Sequence, residues 1–176
     1  MNPYLSAIGY LGPHTLLAVI LLGLAIPLVR PDTNNAAIND TATRAPFYLF
    51  VAVIGWQIIS HLINVVIKNT LKYPRPDSKP EEFNKLAETI NWKNYLIIHR
   101  NFGMPSGHAQ STVSQLTFIW LYFQNPWLSG LAVVQTAITL WQRYSLKRHS
   151  VKQLAAGSLM GLTVGFVFYS MIKYKA

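Results

Sequence analysis

The stretch "FYLFVAVIGWQIISHLINVVI", residues 47–67, contains 21 residues without Asp, Glu, Lys or Arg. A helix of about 20 apolar residues spans the hydrocarbon core of a bilayer, so this stretch is long enough to cross a membrane. The chain of 176 residues is 51% hydrophobic and only 12% charged, a composition that fits a soluble domain poorly. The fold class that these features predict is an all-α integral membrane helical bundle.

Four further apolar stretches lie at about 14–29, 109–123, 127–142 and 151–172. Together they predict about five transmembrane helices in a single domain, residues 1–176, with four and six helices as the alternatives. Gln124-Asn125-Pro126 predicts a tight turn between the third and fourth. The first stretch follows no cluster of positive charge and precedes no small-residue cleavage signal, so we interpret it as structure, with a signal peptide as the alternative.

If the spans alternate, the loops at 68–104 and 143–150 emerge on the same side of the membrane. Most of the 15 Lys and Arg residues lie on or beside this face, and the formal net charge is +9. The positive-inside rule would place the face in the cytoplasm. Basic loops between apolar spans indicate anionic lipid headgroups or substrate phosphates as partners, and we expect no nucleic acid.

Two further patterns concern an amphipathic helix and the packing of the last span. Residues 78–92, "SKPEEFNKLAETINW", predict an amphipathic helix at the membrane interface, within an interfacial segment of about 69–104, with Ser78 and Glu81 forming a capping box. A solvated connector helix is the alternative. In the last span, Gly157, Gly161 and Gly165 recur every four residues. Such a stripe lets another helix approach closely, either inside the bundle or between protomers of a homo-oligomer.

Several kinds of chemistry lack their usual signatures. The chain has no Cys, and its six carboxylates lie in loops without metal-binding spacing. It also lacks a Walker loop and a Gly-x-Ser-x-Gly elbow. Metal-dependent, ATP-dependent and serine-esterase reactions are therefore disfavoured, and we expect neither a metal nor another cofactor.

Cations concentrate at span ends on the shared face. Lys68 ends the second span, Arg75 follows it, and Arg143 ends the fourth. A lysine supplies a point charge and an arginine supplies a planar fork suited to phosphate oxygens. The helix that starts at "PSGH" adds the Ser106 hydroxyl and free backbone N–H groups, and Gly107 lets oxygens approach the chain. The set predicts a site for a tetrahedral anion such as phosphate.

Two histidines, His108 and His149, can supply the two halves of a phosphoryl transfer, with one imidazole as nucleophile and the other as acid. Gln153 lies four residues after His149, so it can accept a hydrogen bond from the ring. We interpret His14, His61 and His99 as structural, with His61 facing the interior of the bundle.

The motifs resemble those of the type 2 phosphatidic acid phosphatase superfamily. The resemblance covers about residues 60–175 and has three parts: Lys68 to Arg75-Pro76, Pro105-Ser106-Gly107-His108, and Arg143 to His149. It implies a phosphatase core at about 47–172 that works without a metal. His149 would attack phosphorus to form a phosphohistidine and His108 would protonate the leaving group. The phosphate would be held by Lys68, Arg75, Ser106, Gly107 and Arg143.

This sequence departs from the family pattern at two positions. Gln142 stands where the motif has Ser, and Gln153 where it has Asp. A neutral amide can orient the ring of His149 but stabilises the developing imidazolium less, which is compatible with a slow or inactive enzyme. If the amide only orients the ring, Gln153→Asp would retain or raise turnover, and a large loss would show that neutrality is required there. The dolichyl-diphosphatase branch is similar to this chain both in "GMPSGHAQ", residues 103–110, and in the glutamine after the third-motif histidine.

The leading hypothesis is a membrane phosphatase that converts an isoprenyl diphosphate, of dolichyl or undecaprenyl type, to the monophosphate plus inorganic phosphate. The alternatives are a phosphatidate or general lipid-phosphate phosphatase and a catalytically degenerate lipid-phosphate-binding membrane protein. A channel is disfavoured because the charges gather at span ends. We expect a multi-pass protein of the endoplasmic reticulum membrane in a eukaryote, and of the plasma membrane otherwise. The family often places its site in the lumen or outside the cell, opposite to the charge count.

Overall fold

The computed structural model describes residues 11–22, 40–91, 93, 95–96 and 101–175, and this part of the chain is helical. The helices are α1 (Leu11–Leu22), α2 (Asp40–Leu71), α3 (Pro80–Thr89), α4 (Gly107–Phe123), α5 (Pro126–Ser145) and α6 (Val151–Lys175). Within the described ranges there is no strand, and Pro74 and Phe102 form an isolated bridge. The predicted all-α class is confirmed.

The helices follow the apolar stretches closely. The stretches at 47–67, 109–123, 127–142 and 151–172 lie within α2, α4, α5 and α6. The stretch at 14–29 overlaps α1, and its residues 23–29 lie outside the described residues. The predicted turn is confirmed, because Gln124 ends α4 with a left-handed φ of 49° and the side chain of Asn125 accepts hydrogen bonds from the backbone of Trp127 and Leu128.

Two helical stretches of 24 residues each, Tyr48–Leu71 and Val151–Tyr174, are long and apolar enough to cross a membrane. The 17 residues of α4 fall short of the about 20 that a perpendicular crossing needs. The 20 residues of α5 include Gln135, Gln142 and Arg143, which lower its hydropathy. The count of five spans therefore stays a prediction.

The distribution of side chains supports a lipid environment independently of helix length. Buried positions include many polar residues: Ser60, Asn64, Gln110, Thr112, Ser114, Gln115, Thr136 and Thr139. Exposed positions include large apolar residues: Ile54, Ile58, Leu62, Val66, Leu159, Leu162 and Phe166. Polar groups turned inward and apolar groups turned outward are typical of a bundle surrounded by lipid.

The apolar core lies in the half of the bundle away from the C-termini of α2 and α5. Trp56 stacks on Phe168 with ring centroids 4.5 Å apart, and Phe118 packs against both rings. Leu16 and Ile20 of α1 belong to the same cluster. This core joins α1, α2, α4, α5 and α6, and it leaves the opposite end of the bundle to polar and charged residues.

The glycine stripe of α6 packs on α4. A Cβ atom added to Gly157, Gly161 or Gly165 would lie 2.4, 2.5 or 2.6 Å from the carbonyl oxygen of Ser106, Gln110 or Ser114 respectively. Both series advance by four residues in the same direction, so the two helices run parallel. The predicted packing role inside the bundle is confirmed. The alternative of a homo-oligomer through this face needs correction, because α4 occupies the face and leaves no space for a second chain.

The helix predicted within residues 78–92 is confirmed as α3, but its capping box is wrong. The N-cap residue is Lys79, and its side chain makes no capping hydrogen bond. The Ser78 hydroxyl instead accepts from the Arg75 N–H and donates to the Asn101 carbonyl. Lys72 holds α3 by donating from Nζ to the Ala87 carbonyl, with the two atoms 2.6 Å apart.

We predict that Gly161→Ala destabilises the bundle by about 1–3 kcal/mol. The added methyl would clash with backbone atoms of α4, which can move only if the whole helix shifts. Gly130→Ala is the matched control, since nothing lies within 4 Å of its added Cβ. Thermal unfolding in detergent should show a lowered midpoint for Gly161→Ala alone. Equal midpoints for the two variants would contradict the packing described here.

Candidate active site

The ends of four helices meet at one end of the bundle: the C-termini of α2 and α5 and the N-termini of α4 and α6. Two contacts join the loops there. Arg148 forms a salt bridge with Asp77 at 2.9 Å, and the Gln153 side chain donates to the Pro74 carbonyl at 2.7 Å. These contacts confirm that the loops at 68–104 and 143–150 share a face.

Three of the predicted phosphate ligands form a cluster of cations. Lys68 and Arg143 are only 8% and 6% exposed, whereas Arg75 is half-buried and donates from Nε to the Phe102 carbonyl at 3.3 Å. The charges that act on Lys68 are those of Arg75 and Arg143. Like charges held together out of water raise the free energy of the protein, and a bound anion would offset this cost.

The N-terminus of α4 faces this cluster. A Cβ added to Gly107 would lie 3.7 Å from Lys68 Nζ, so the glycine leaves the chain open toward the cation. Ser106 is fully buried as the N-cap, and its hydroxyl accepts from the Ala109 N–H, which leaves the hydroxyl proton to donate elsewhere. Because α4 and α6 run parallel, the positive ends of both helix dipoles point to the same place.

His149 lies just before α6 and is 3% exposed. Its Nδ1 is 3.2 Å from Oε1 of Gln153, which also accepts from the Ser150 N–H at 3.1 Å. A carbonyl oxygen can only accept, so Nδ1 carries the proton and Nε2 keeps its lone pair. The predicted contact between Gln153 and His149 is present.

Burial, followed by the positive charges of Arg75 and Lys68, lowers the pKa of His149 from 6.5 to about 3. The hydrogen bond that His149 donates to Gln153 raises the pKa, and Arg143 lowers it further. The ring is therefore neutral at physiological pH. This is the protonation state that a nucleophilic imidazole needs.

His108 belongs to the same cluster. It lies in the first turn of α4 and is half-buried, and Arg143, His149 and Lys68 are close enough to act on it electrostatically. His14 of α1, which we interpreted as structural, is exposed and also within electrostatic range of His108.

Of the remaining histidines, the structure describes His61. The prediction for His61 is wrong. The inward face of α2 includes Ser60, Asn64 and Lys68, whereas His61 is exposed. His99 lies outside the described residues.

Gln142 is buried, and nothing in the structure explains why glutamine stands there.

A hydrogen-bonded set that the sequence analysis missed joins α2 to α4. Asn64 donates to Oε1 of Gln110 at 2.6 Å, and Nε2 of Gln110 donates to the carbonyl and hydroxyl of Ser60 at 2.9 and 3.0 Å. These bonds fix the end of α2 against the start of α4, and so fix Lys68 beside Gly107. The sequence feature that could have predicted this polar contact is the four-residue spacing of Ser60, Asn64 and Lys68 in an apolar stretch.

Residues 45–176 match the family described as the PAP2 superfamily. The match covers well over half of the chain, and the chain therefore belongs to this superfamily, as the three motifs predicted.

The curated relatives include two dolichyldiphosphatases. The chain is 23% identical to Dolichyldiphosphatase 1 of Dictyostelium discoideum over 128 residues, which is 66% of this chain and 49% of the relative. It is 25% identical to Dolichyldiphosphatase of Saccharomyces cerevisiae over 126 residues, 66% of this chain and 48% of the relative. It is 35% identical to Lipid A 4'-phosphatase of Helicobacter pylori over 74 residues, 42% of this chain and 36% of the relative.

The chain thus spans about half the length of the two dolichyldiphosphatases. No solved structure matches it at a significant level.

We predict that His149 stays neutral well below the ordinary range of histidine. Its folded-state pKa is lowered, so the neutral form persists as the pH falls past 6.5 and is lost only near about 3. NMR of ¹⁵N-histidine-labelled protein in detergent measures this titration, and His149→Gln assigns the signal. A midpoint near 6.5 would contradict the buried, cation-flanked environment.

Proposed function

We propose that the protein is a multi-pass membrane phosphatase that hydrolyses an isoprenyl diphosphate to the monophosphate and inorganic phosphate, without a metal, through a phosphohistidine. The observation that carries the proposal is the convergence of three cations and two imidazoles on the N-terminus of α4. This donor set suits a tetrahedral anion that is to be both held and attacked.

The terminal phosphate would bind first. Lys68, Arg75 and Arg143 would contact its oxygens, together with the Ser106 hydroxyl and the backbone N–H groups beside Gly107. A dianion placed there neutralises part of the charge that the buried cations carry. The isoprenyl tail would remain in lipid beside the apolar outer faces of the helices.

His149 Nε2 would then attack the terminal phosphorus. The bond between phosphorus and the bridging oxygen breaks. The leaving monophosphate takes a proton from His108, which the bound phosphate dianion would keep protonated until this step. In the second step His108 takes a proton from water, the water oxygen attacks the phosphorus, and the bond to His149 breaks. Inorganic phosphate leaves, and both histidines return to their starting states.

The substrate class rests on two supports. Two relatives that each align with 66% of this chain are named dolichyldiphosphatases. This chain also shares with that branch the glycine-rich entry at 103–110 and the glutamine at 153. The match to a lipid A 4'-phosphatase favours a second candidate, a general lipid-phosphate phosphatase that includes phosphatidate among its substrates. A non-catalytic lipid-phosphate binder would have little need for the oriented, neutral imidazole of His149.

The proposed location is a multi-pass position in the endoplasmic reticulum membrane of a eukaryote, or in the plasma membrane otherwise. The inward polar and outward apolar side chains of α2 and α6 support the membrane part of this proposal.

We expect purified protein in detergent to release phosphate from an isoprenyl diphosphate faster than from phosphatidate, at an unchanged rate in EDTA. His149→Ala should lower release by about 10³-fold or more, because it removes the nucleophile. His61→Ala is the matched control, since that histidine is exposed on α2 away from the cluster. Loss of activity in EDTA, or full activity of His149→Ala, would refute the proposed mechanism. Faster release from phosphatidate would favour the second candidate.

A further inference from the structure

Gln153 contacts each of the three segments that build the site. Its Nε2 donates to the Pro74 carbonyl at 2.7 Å, its Oε1 faces His149 Nδ1 at 3.2 Å, and its backbone carbonyl accepts from the Ser106 N–H at 3.1 Å. The side chain is 1% exposed. Pro74 directly precedes Arg75, so one amide joins the segment of a phosphate ligand to the proposed nucleophile.

The orientation of this amide is determined by its partners. The Ser150 N–H can only donate and bonds to Oε1, and the Pro74 carbonyl can only accept and bonds to Nε2. A carboxylate could accept the hydrogen bond from the Ser150 N–H, but it has no proton to donate to the Pro74 carbonyl. An aspartate is also one methylene shorter, and it would leave the partly buried Pro74 carbonyl without this donor.

Gly103 provides the space in which the amide lies. A Cβ added at position 103 would be 2.5 Å from Nε2 and 2.7 Å from Oε1 of Gln153. The backbone at this position is fixed on both sides, since the Gly103 N–H donates to the Tyr73 carbonyl at 2.8 Å and Phe102 forms a bridge with Pro74. A methyl group on residue 103 would therefore displace the amide and not the backbone.

We infer that Gln153 is a positioning residue whose neutral amide holds His149 in register with the Arg75 segment, and that residue 103 must be glycine to admit it. The inference rests on the proposed function, because its main consequence is a change in rate. It predicts a loss of turnover for Gln153→Asp, which is the outcome expected from the sequence if neutrality is required at this position. The glutamine that stands in place of the motif's aspartate makes an additional hydrogen bond, the one from Nε2 to the Pro74 carbonyl.

The first test is Gln153→Glu, which keeps the length and the acceptor but replaces the donor with a carboxylate oxygen opposite the Pro74 carbonyl. The groups that face His149 are Arg75, Lys68, Arg143 and His108, so the new charge would be the one anion among them. We expect kcat to fall by about 10²-fold, the usual effect of a small misplacement of a reacting group. The acid limb of kcat/KM should move to higher pH, because an anion beside the ring favours its protonated form.

Gln124→Glu is the control, because it makes the same chemical change in the turn at the far end of the bundle. A general loss of stability would lower kcat without moving the pH profile. An unchanged kcat for Gln153→Glu, or a loss with an unmoved acid limb, would overturn the inference.

The second test is a double-mutant cycle of Gly103→Ala and Gln153→Asp, with Gly130→Ala as the control for adding a methyl to a glycine. Each single variant should lose about 10²-fold in kcat. Once Asp has shortened residue 153, the methyl on residue 103 meets no amide, so the double variant should be no slower than Gln153→Asp. Additive losses would mean that the two positions act independently, which contradicts the inference.

The wild-type protein in the same assay separates this inference from the proposed function. If wild type releases no phosphate from the isoprenyl diphosphate, the proposed function fails, and the amide contact is then tested without turnover. ¹⁵N NMR of His149 in wild type should show a proton on Nδ1, and Gly103→Ala should change that pattern. A wild-type ring protonated on Nε2 would refute the inference whatever the activity.

Discussion

The close contact between α4 and α6 sets the distance between the two imidazoles of the site. At three positions of α6, a side chain larger than glycine would clash with a backbone carbonyl oxygen of α4. The two helix axes can therefore approach closely only because these residues are glycines. The helices run parallel, and each begins at the same end of the bundle. His108 in the first turn of α4 and His149 just before α6 are consequently brought together by backbone packing and not by flexible loops.

The same end of the bundle holds its least favourable electrostatics. Burying cations beside one another costs free energy, which hydrogen bonds between α2 and α4 and the loop contacts around Gln153 can offset only in part. A phosphate dianion would remove much of this cost on binding. The polar groups of the site therefore suit an anionic ligand, whereas the aromatic core around Trp56 stabilises the fold without one.

The sequence predicted local features well, because periodicity and turn chemistry act over a few residues. The helices, the turn at Gln124, the shared face of the loops and the contact between His149 and Gln153 were all predictable. The contact between Gln153 and Pro74 was not, since it joins residues 79 positions apart and depends on how the loop after α2 folds against the start of α6. Ser78 does not cap α3, because its hydroxyl bonds instead to Arg75 and Asn101. The exposure of His61 depends on how α2 packs against the other helices, which no local pattern shows.

The central claim is that the cluster of cations and imidazoles holds a phosphoryl group for attack by His149. An experimental structure with orthovanadate, which adopts the five-coordinate geometry of the transition state, tests it most directly. The account predicts vanadium bonded to Nε2 of His149, an apical oxygen directed at His108, and equatorial oxygens contacted by Lys68, Arg75 and Arg143. Vanadate bound elsewhere, or held by the cations without a bond to His149, would contradict it.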